Sequence, residues 1–144
     1  MAIQVYILGQ NHLLKMALQG VAFAGPFYLG LGTGNLPANT DTTTMSDVTE
    51  VTGTGYARQP VNRSALAAGW AVTDNEAESP TVTFTNSDVD PDVVWTDIDY
   101  MFLTLSPSGT TAPNILYAAV ELEDTITLSG GISQDFIFNF ALQS

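Results

Sequence analysis

The pattern of apolar and polar positions changes once along the chain, near Pro26. Before it, residues 2–8 are mostly apolar and predict a strand or an extended arm. Asn11 then stands as a candidate helix N-cap. Leu13, Leu14, Ala17, Leu18 and Val21 follow at the spacing of one helix face, bounded by Gly20 and the Gly25-Pro26 pair. After Pro26 the pattern becomes short apolar runs cut by turn residues. Residues 27–31 form an apolar strand ending in Gly32-Thr33-Gly34, and residues 35–45 read as a long polar loop. Residues 56–61 predict a strand placed near an edge by Pro60. Trp70 and Val72 alternate, and so do Val82 and Phe84 within 81–85. Residues 74–80 read as a turn and 86–92 as an acidic loop. Further strands are predicted over 95–105, 115–122, 125–128 and 132–142, the last with Phe136, Phe138 and Phe140 at period two.

About eight short strands at turn-broken spacing predict a mainly β fold, an antiparallel β-sandwich or jelly roll with one short N-terminal helix. The length of 144 residues suits a single domain able to bury its own core. Within it, residues 1–25 are expected to form an N-terminal arm and short helix, and residues 26–144 the β-sandwich.

Charge narrows the function classes. Lys15, Arg58 and Arg63 are the only Lys or Arg residues, and they face 15 acidic residues, for a net charge of −12. Phosphate backbones are bound by clustered Lys and Arg, and an anionic lipid surface repels such a chain. Neither nucleic acid nor membrane is therefore an expected partner. No apolar run approaches the roughly 20 residues of a membrane-spanning helix. Residues 16–28 have some features of a secretory signal, with Ala22-Phe23-Ala24 as a cleavage-like site. The lack of a basic residue before Lys15, and Gln19 within the run, argue against it. With no cysteine, disulfides and thiolate metal sites are excluded.

The residues that could carry chemistry do not assemble into a known constellation. His12 is the one histidine and sits at the predicted helix start, where a surface or cap-adjacent role is the simpler reading. Gly30-Leu31-Gly32-Thr33-Gly34 lacks the Lys-Ser/Thr of a phosphate loop and reads as a strand ending in a turn. Asp88, Asp90 and Asp92 alternate as calcium ligands do, but Val93 and Asp99 hold the positions where the loop pattern needs Gly and Glu, so a solvated acidic turn is expected. Glu121, Glu123 and Asp124 read as the solvated end of a strand. Arg58 is expected to pair with Glu50 or Asp47 within the chain, the alternative being an ion pair between subunits. No catalytic residue, cofactor, metal or small-molecule substrate is expected.

In order, the chain shows a helix with a Leu-Leu pair, the strand Phe27-Tyr28-Leu29-Gly30-Leu31-Gly32-Thr33 and a polar loop. The run Glu50-Val51-Thr52-Gly53-Thr54-Gly55-Tyr56-Ala57-Arg58-Gln59-Pro60-Val61 comes next. This order resembles a class of small structural proteins of tailed phages with the pattern helix, Y-x-G-L, E-x-x-G-x-G-Y-A-R. Glu50, Gly55, Tyr56 and Arg58 carry its sharpest part. The chain departs from the class in the longer loop holding Thr42-Thr43-Thr44 and Met45.

The resemblance implies a non-catalytic virion protein. The leading expectation is a capsid cement, or decoration, protein on the capsid surface that binds the major capsid protein and itself, as a homotrimer. The alternative is a tail, baseplate or fibre-associated protein, and a third is a carbohydrate-binding module stacking sugars on Trp70 or Trp95. The apolar N-terminal residues Ile3, Val5, Tyr6, Leu13 and Leu14 are the candidate assembly contacts. They reach a neighbour in one reading and form an ordinary strand and helix of the domain in the other.

Overall fold

A computed structural model describes residues 3–22, 25–63, 69–74, 76–110 and 114–141. Its elements, in chain order, are β1 (Ile3–Val5), α1 (Ile7–Gln19), β2 (Phe27–Thr33), a 3-10 turn (Met45–Asp47), β3 (Gln59–Val61) and β4 (Ala71–Thr73). They continue with β5 (Glu76–Glu78), β6 (Val82–Thr85), β7 (Trp95–Thr104), β8 (Leu116–Leu128), β9 (Ser133–Phe136) and β10 (Asn139–Ala141). The fold is mainly β with antiparallel pairing and one α-helix among the described residues. Its sheets are unequal. A five-stranded sheet runs β1-β8-β7-β2-β3, a three-stranded one β10-β5-β4, and β6 pairs with β9 alone. The finer expectation of a jelly roll is not confirmed by this strand order.

The five-stranded sheet is covered on both faces at its centre, because its long strands are apolar at odd and even positions alike. Leu29, Leu31, Met101, Leu103, Ala118 and Val120 pack with Val82, Phe84, Phe136 and Phe138 in the larger core. On the opposite face Tyr100, Phe102, Leu116 and Ala119 pack with Tyr6, Met45, Leu36 and Val48. The polar loop after β2 therefore supplies core residues, although its composition suggested only surface. Gly30 and Gly32 of β2 stand opposite Phe102 and Tyr100 of β7. A Cβ on either glycine would lie 2.2 or 2.1 Å from the facing ring, so the aromatic rings occupy the space a side chain would need.

Several elements differ from expectation. Residues 115–122 and 125–128 form the single strand β8, because β7 pairs along both segments through register shifts. Residues 132–142 instead divide into β9 and β10, which join different sheets. The expected turn over 74–80 contains β5, which pairs with β4. Val72 in β4 is 72 % exposed, so the Trp70/Val72 alternation does not mark a buried face. The helix begins at Ile7, four residues before Asn11. Its first N–H is met by Asn39 Oδ1 at 3.2 Å, a cap supplied from a distant loop that local spacing does not reveal. Gly20 ends the helix in the left-handed conformation, φ 65°. The N-terminal apolar stretch divides between two structures. Ile3–Val5 forms an edge strand paired with residues 118–120 of β8. Tyr6 is fully buried, its hydroxyl donating to the Pro37 carbonyl at 3.0 Å.

Candidate functional site

The most distinctive run of the sequence, residues 50–61, folds into a clasp at the end of β2. Glu50 forms an antiparallel bridge with Gly32. On either side of it, Thr33 N–H donates to Thr49 O at 2.8 Å and Val51 N–H to Leu31 O at 2.9 Å. The chain then turns through Gly53–Tyr56, closed by Tyr56 N–H donating to Gly53 O at 3.2 Å. Gly55 sits at φ 75°, and a Cβ there would also strike Ser87 Oγ. Trp95 lies against Gly53, its indole N–H donating to Thr54 O at 3.3 Å.

Tyr56 and Arg58 return to Glu50. The Arg58 guanidinium holds the Glu50 carboxylate with two donors, Nε to Oε1 at 2.8 Å and Nη2 to Oε2 at 2.6 Å. Its Nη1 donates to Ser106 O and its Nη2 to Gly109 O, both at 2.9 Å, which ties the motif to the segment after β7. The guanidinium carbon lies 5.4 Å from the Phe102 ring centroid. The Tyr56 hydroxyl donates to Glu50 Oε1 at 2.8 Å and accepts from Leu31 N–H at 2.9 Å. Burial, and after it the neighbouring carboxylate, push the Tyr56 phenol far above its ordinary value, so it remains a donor. The arrangement consumes its polar groups internally. The Arg58 side chain is 2 % exposed and that of Glu50 is 24 % exposed.

Arg58 is thus paired within the chain, with Glu50. Asp47, the other expected partner, instead accepts from Thr44 N–H at 2.8 Å and closes the 3-10 turn. The expectation that Tyr56 and Arg58 share a strand is corrected, because β3 starts only at Gln59 and the preceding residues turn inward to reach Glu50.

The remaining candidates are placed as follows. His12 lies inside α1 with its Nδ1 at the Tyr117 hydroxyl. In the acidic loop, Asn86 Oδ1 accepts from Asp88 N–H, Asp88 Oδ1 from Asp90 N–H and Asp90 Oδ1 from Asp92 N–H, at 3.2, 3.0 and 3.0 Å. These side chains cap successive turns, and no three acidic or histidine groups among the described residues come together as a metal site. Glu121, Glu123 and Asp124 are exposed on β8. Trp95 is buried, which removes its ring as a sugar-stacking face, while Trp70 is half-buried and meets Phe27 edge-on. Of the expected assembly contacts, Ile3 and Leu14 are exposed, while Val5 and Leu13 pack against the core. Tyr6 is withdrawn from that set, because its ring fills the chain's own interior.

Asn86 is a structural centre that sequence reasoning missed. It is fully buried, and its amide donates to Val93 O at 2.8 Å and Leu128 O at 2.9 Å. It joins the acidic loop to the end of β8. Only its position just after the alternating 81–85 run hinted at this.

Fold and clasp together define a class: a small antiparallel β protein whose sharpest motif maintains its own architecture. The family model described as podophage GP4 fiber I protein gp80 matches residues 4–126, and the chain belongs to that family. Membership makes it a bacteriophage structural protein and a component of the virion. The match spans α1, the clasp and the β7–β8 pair. Of the two virion readings, the family description favours the fibre and tail one and lends no support to capsid cement or to a capsid-surface location. No curated protein matches the chain.

Proposed function

We propose that this chain is a non-catalytic structural component of the tail or fibre apparatus of a podophage. The observation that carries the proposal is the fibre-protein family match over residues 4–126. The clasp supports it from the chemical side. Glu50, Tyr56 and Arg58 are engaged with one another and with backbone carbonyls. A net charge of −12 disfavours nucleic acid and anionic membranes as partners. The partners proposed are other virion proteins, met through protein surface alone, with no cofactor and no small-molecule substrate.

The test is electron microscopy of intact virions decorated with an antibody to this protein. Label confined to the tail or its fibres is expected. Label spread evenly over the head would reject the proposal and restore the cement reading.

A further inference from the structure

Helix α1 lies on β8 with one face and leaves the other bare. Gly9 is buried where a Cβ would come 2.6 Å from the Tyr117 Cα, and Leu13 packs on the larger core. The outer face carries Ile7, Leu14 and Leu18 at 36, 56 and 79 % exposure. An amphipathic helix in a solitary globular protein turns such residues inward. Positions 7, 11, 14 and 18 advance by four, three and four residues, the spacing of the buried seam between coiled helices. The single polar member of that seam is Asn11, which is exposed. One Asn within an apolar seam is a device that sets register and partner number when like helices pair.

Charge says which partner fits. Copies of a chain with net charge −12 repel one another over most of their surface. The first acidic residue is Asp41, and Lys15 is the one Lys, Arg, Asp or Glu in α1. The outer face of α1 therefore carries no carboxylate of its own to repel a second copy. Direction follows from Asn11. In an antiparallel pair it would face Ile7 or Leu14 of the other helix and leave its amide without a partner, which is costly. In a parallel pair Asn11 faces Asn11, and the two amides satisfy each other.

We infer that α1 is a self-association helix, through which copies of this chain pack in parallel along the Ile7, Asn11, Leu14 and Leu18 seam. The inference does not depend on where in the virion the chain sits. A helix of 13 residues offers a seam only about 20 Å long. Association is accordingly weak in dilute solution and is reinforced where the virion holds many copies together.

The absence of cysteine makes the test direct. Full-length Asn11→Cys and Leu18→Cys variants are oxidised across a dilution series and compared with Val72→Cys, which is also exposed but lies on β4. Parallel pairing brings identical seam residues within disulfide reach. Rapid disulfide-linked dimers are expected from Asn11→Cys and Leu18→Cys and not from Val72→Cys. In sedimentation velocity, the unmodified chain should associate with rising concentration, and Leu14→Glu/Leu18→Glu should lose that association while keeping its far-UV circular dichroism. Seam cysteines that cross-link no faster than Val72→Cys would overturn the inference. So would undiminished association of a folded double-Glu variant. If the double-Glu variant does not fold, the cysteine comparison alone decides.

Discussion

Breaking the Glu50–Arg58 pair is the perturbation whose size the structure specifies best. Glu50→Ala leaves a guanidinium whose side chain is 2 % exposed and whose charge cannot be shed. It keeps the Ser106 and Gly109 carbonyls but loses both carboxylate bonds. Removing one partner of a buried pair costs about 3–5 kcal/mol, and this variant belongs at the upper end. Arg58→Met keeps an apolar stem near Phe102 but strands the two carbonyls and the carboxylate. Because the Glu50 side chain is 24 % exposed, water recovers part of that loss, and a cost nearer about 3 kcal/mol is expected. The double variant Glu50→Ala/Arg58→Met has no buried charge left to strand. It should cost less than the sum of the singles, with a coupling energy of about 2–3 kcal/mol.

Urea unfolding followed by tryptophan emission and far-UV circular dichroism measures all four corners of this cycle. Trp95 is a local reporter, since its ring meets Tyr56 edge-on at 5.4 Å and touches Gly53. Domains of this size are stable by about 5–15 kcal/mol, so the cycle is measurable when the parent stability lies above the lower end of that range. If Glu50→Ala cost less than about 1 kcal/mol and the two changes were additive, the pair would be behaving as a solvated surface contact. The reading of the motif as a buried clasp would then be wrong.

Three other outcomes are expected. Gly30→Ala and Gly32→Ala should each destabilise by about 1–3 kcal/mol or more in thermal or urea unfolding, because the new Cβ must displace the Phe102 or Tyr100 ring; an unchanged midpoint would refute the close approach. Asn86→Ala should cost about 2–3 kcal/mol in the same assay, since it orphans the buried Val93 and Leu128 carbonyls, whereas Asp88→Asn keeps its turn and should be nearly neutral. The phenols of Tyr6, Tyr56, Tyr100 and Tyr117 are all raised in the folded chain, chiefly by burial. The unfolded chain therefore releases these protons first as pH rises. The stability they contribute is intact below about pH 10 and falls above it, so tyrosinate absorbance should appear together with unfolding; ionisation of all the tyrosines in a still-folded chain would contradict their burial.

Legibility in the sequence followed the range of the interaction. Strict alternation over Val82 and Phe84 marked β6, and the apolar run at 27–31 marked β2, because each strand's burial is written in its own residues. The start of α1 was misplaced because its cap comes from Asn39, thirty-two residues away, while the local candidate Asn11 lies within the helix. The division of 132–142 was hidden for a similar reason: Phe136 and Phe138 keep period two while the chain passes from one sheet to another. The clasp was half legible. The motif singled out Glu50, Tyr56 and Arg58, and charge scarcity made an Arg58 pair expected, but the Ser106 and Gly109 carbonyls that complete it have no side-chain signature.

That asymmetry bears on what the family resemblance reports. The residues that make residues 50–61 recognisable are those required by Gly32, Trp95, Phe102 and Ser87 around them: glycines where a Cβ would collide, a phenol and a guanidinium where one carboxylate must be met from two sides. In this chain the motif holds the joint between β2 and the segment after β7. The outer face of α1 is under no such demand, since Leu14 and Leu18 touch little of their own chain. The clasp is spent on the fold of this chain, so how it assembles is to be sought on α1 rather than in residues 50–61.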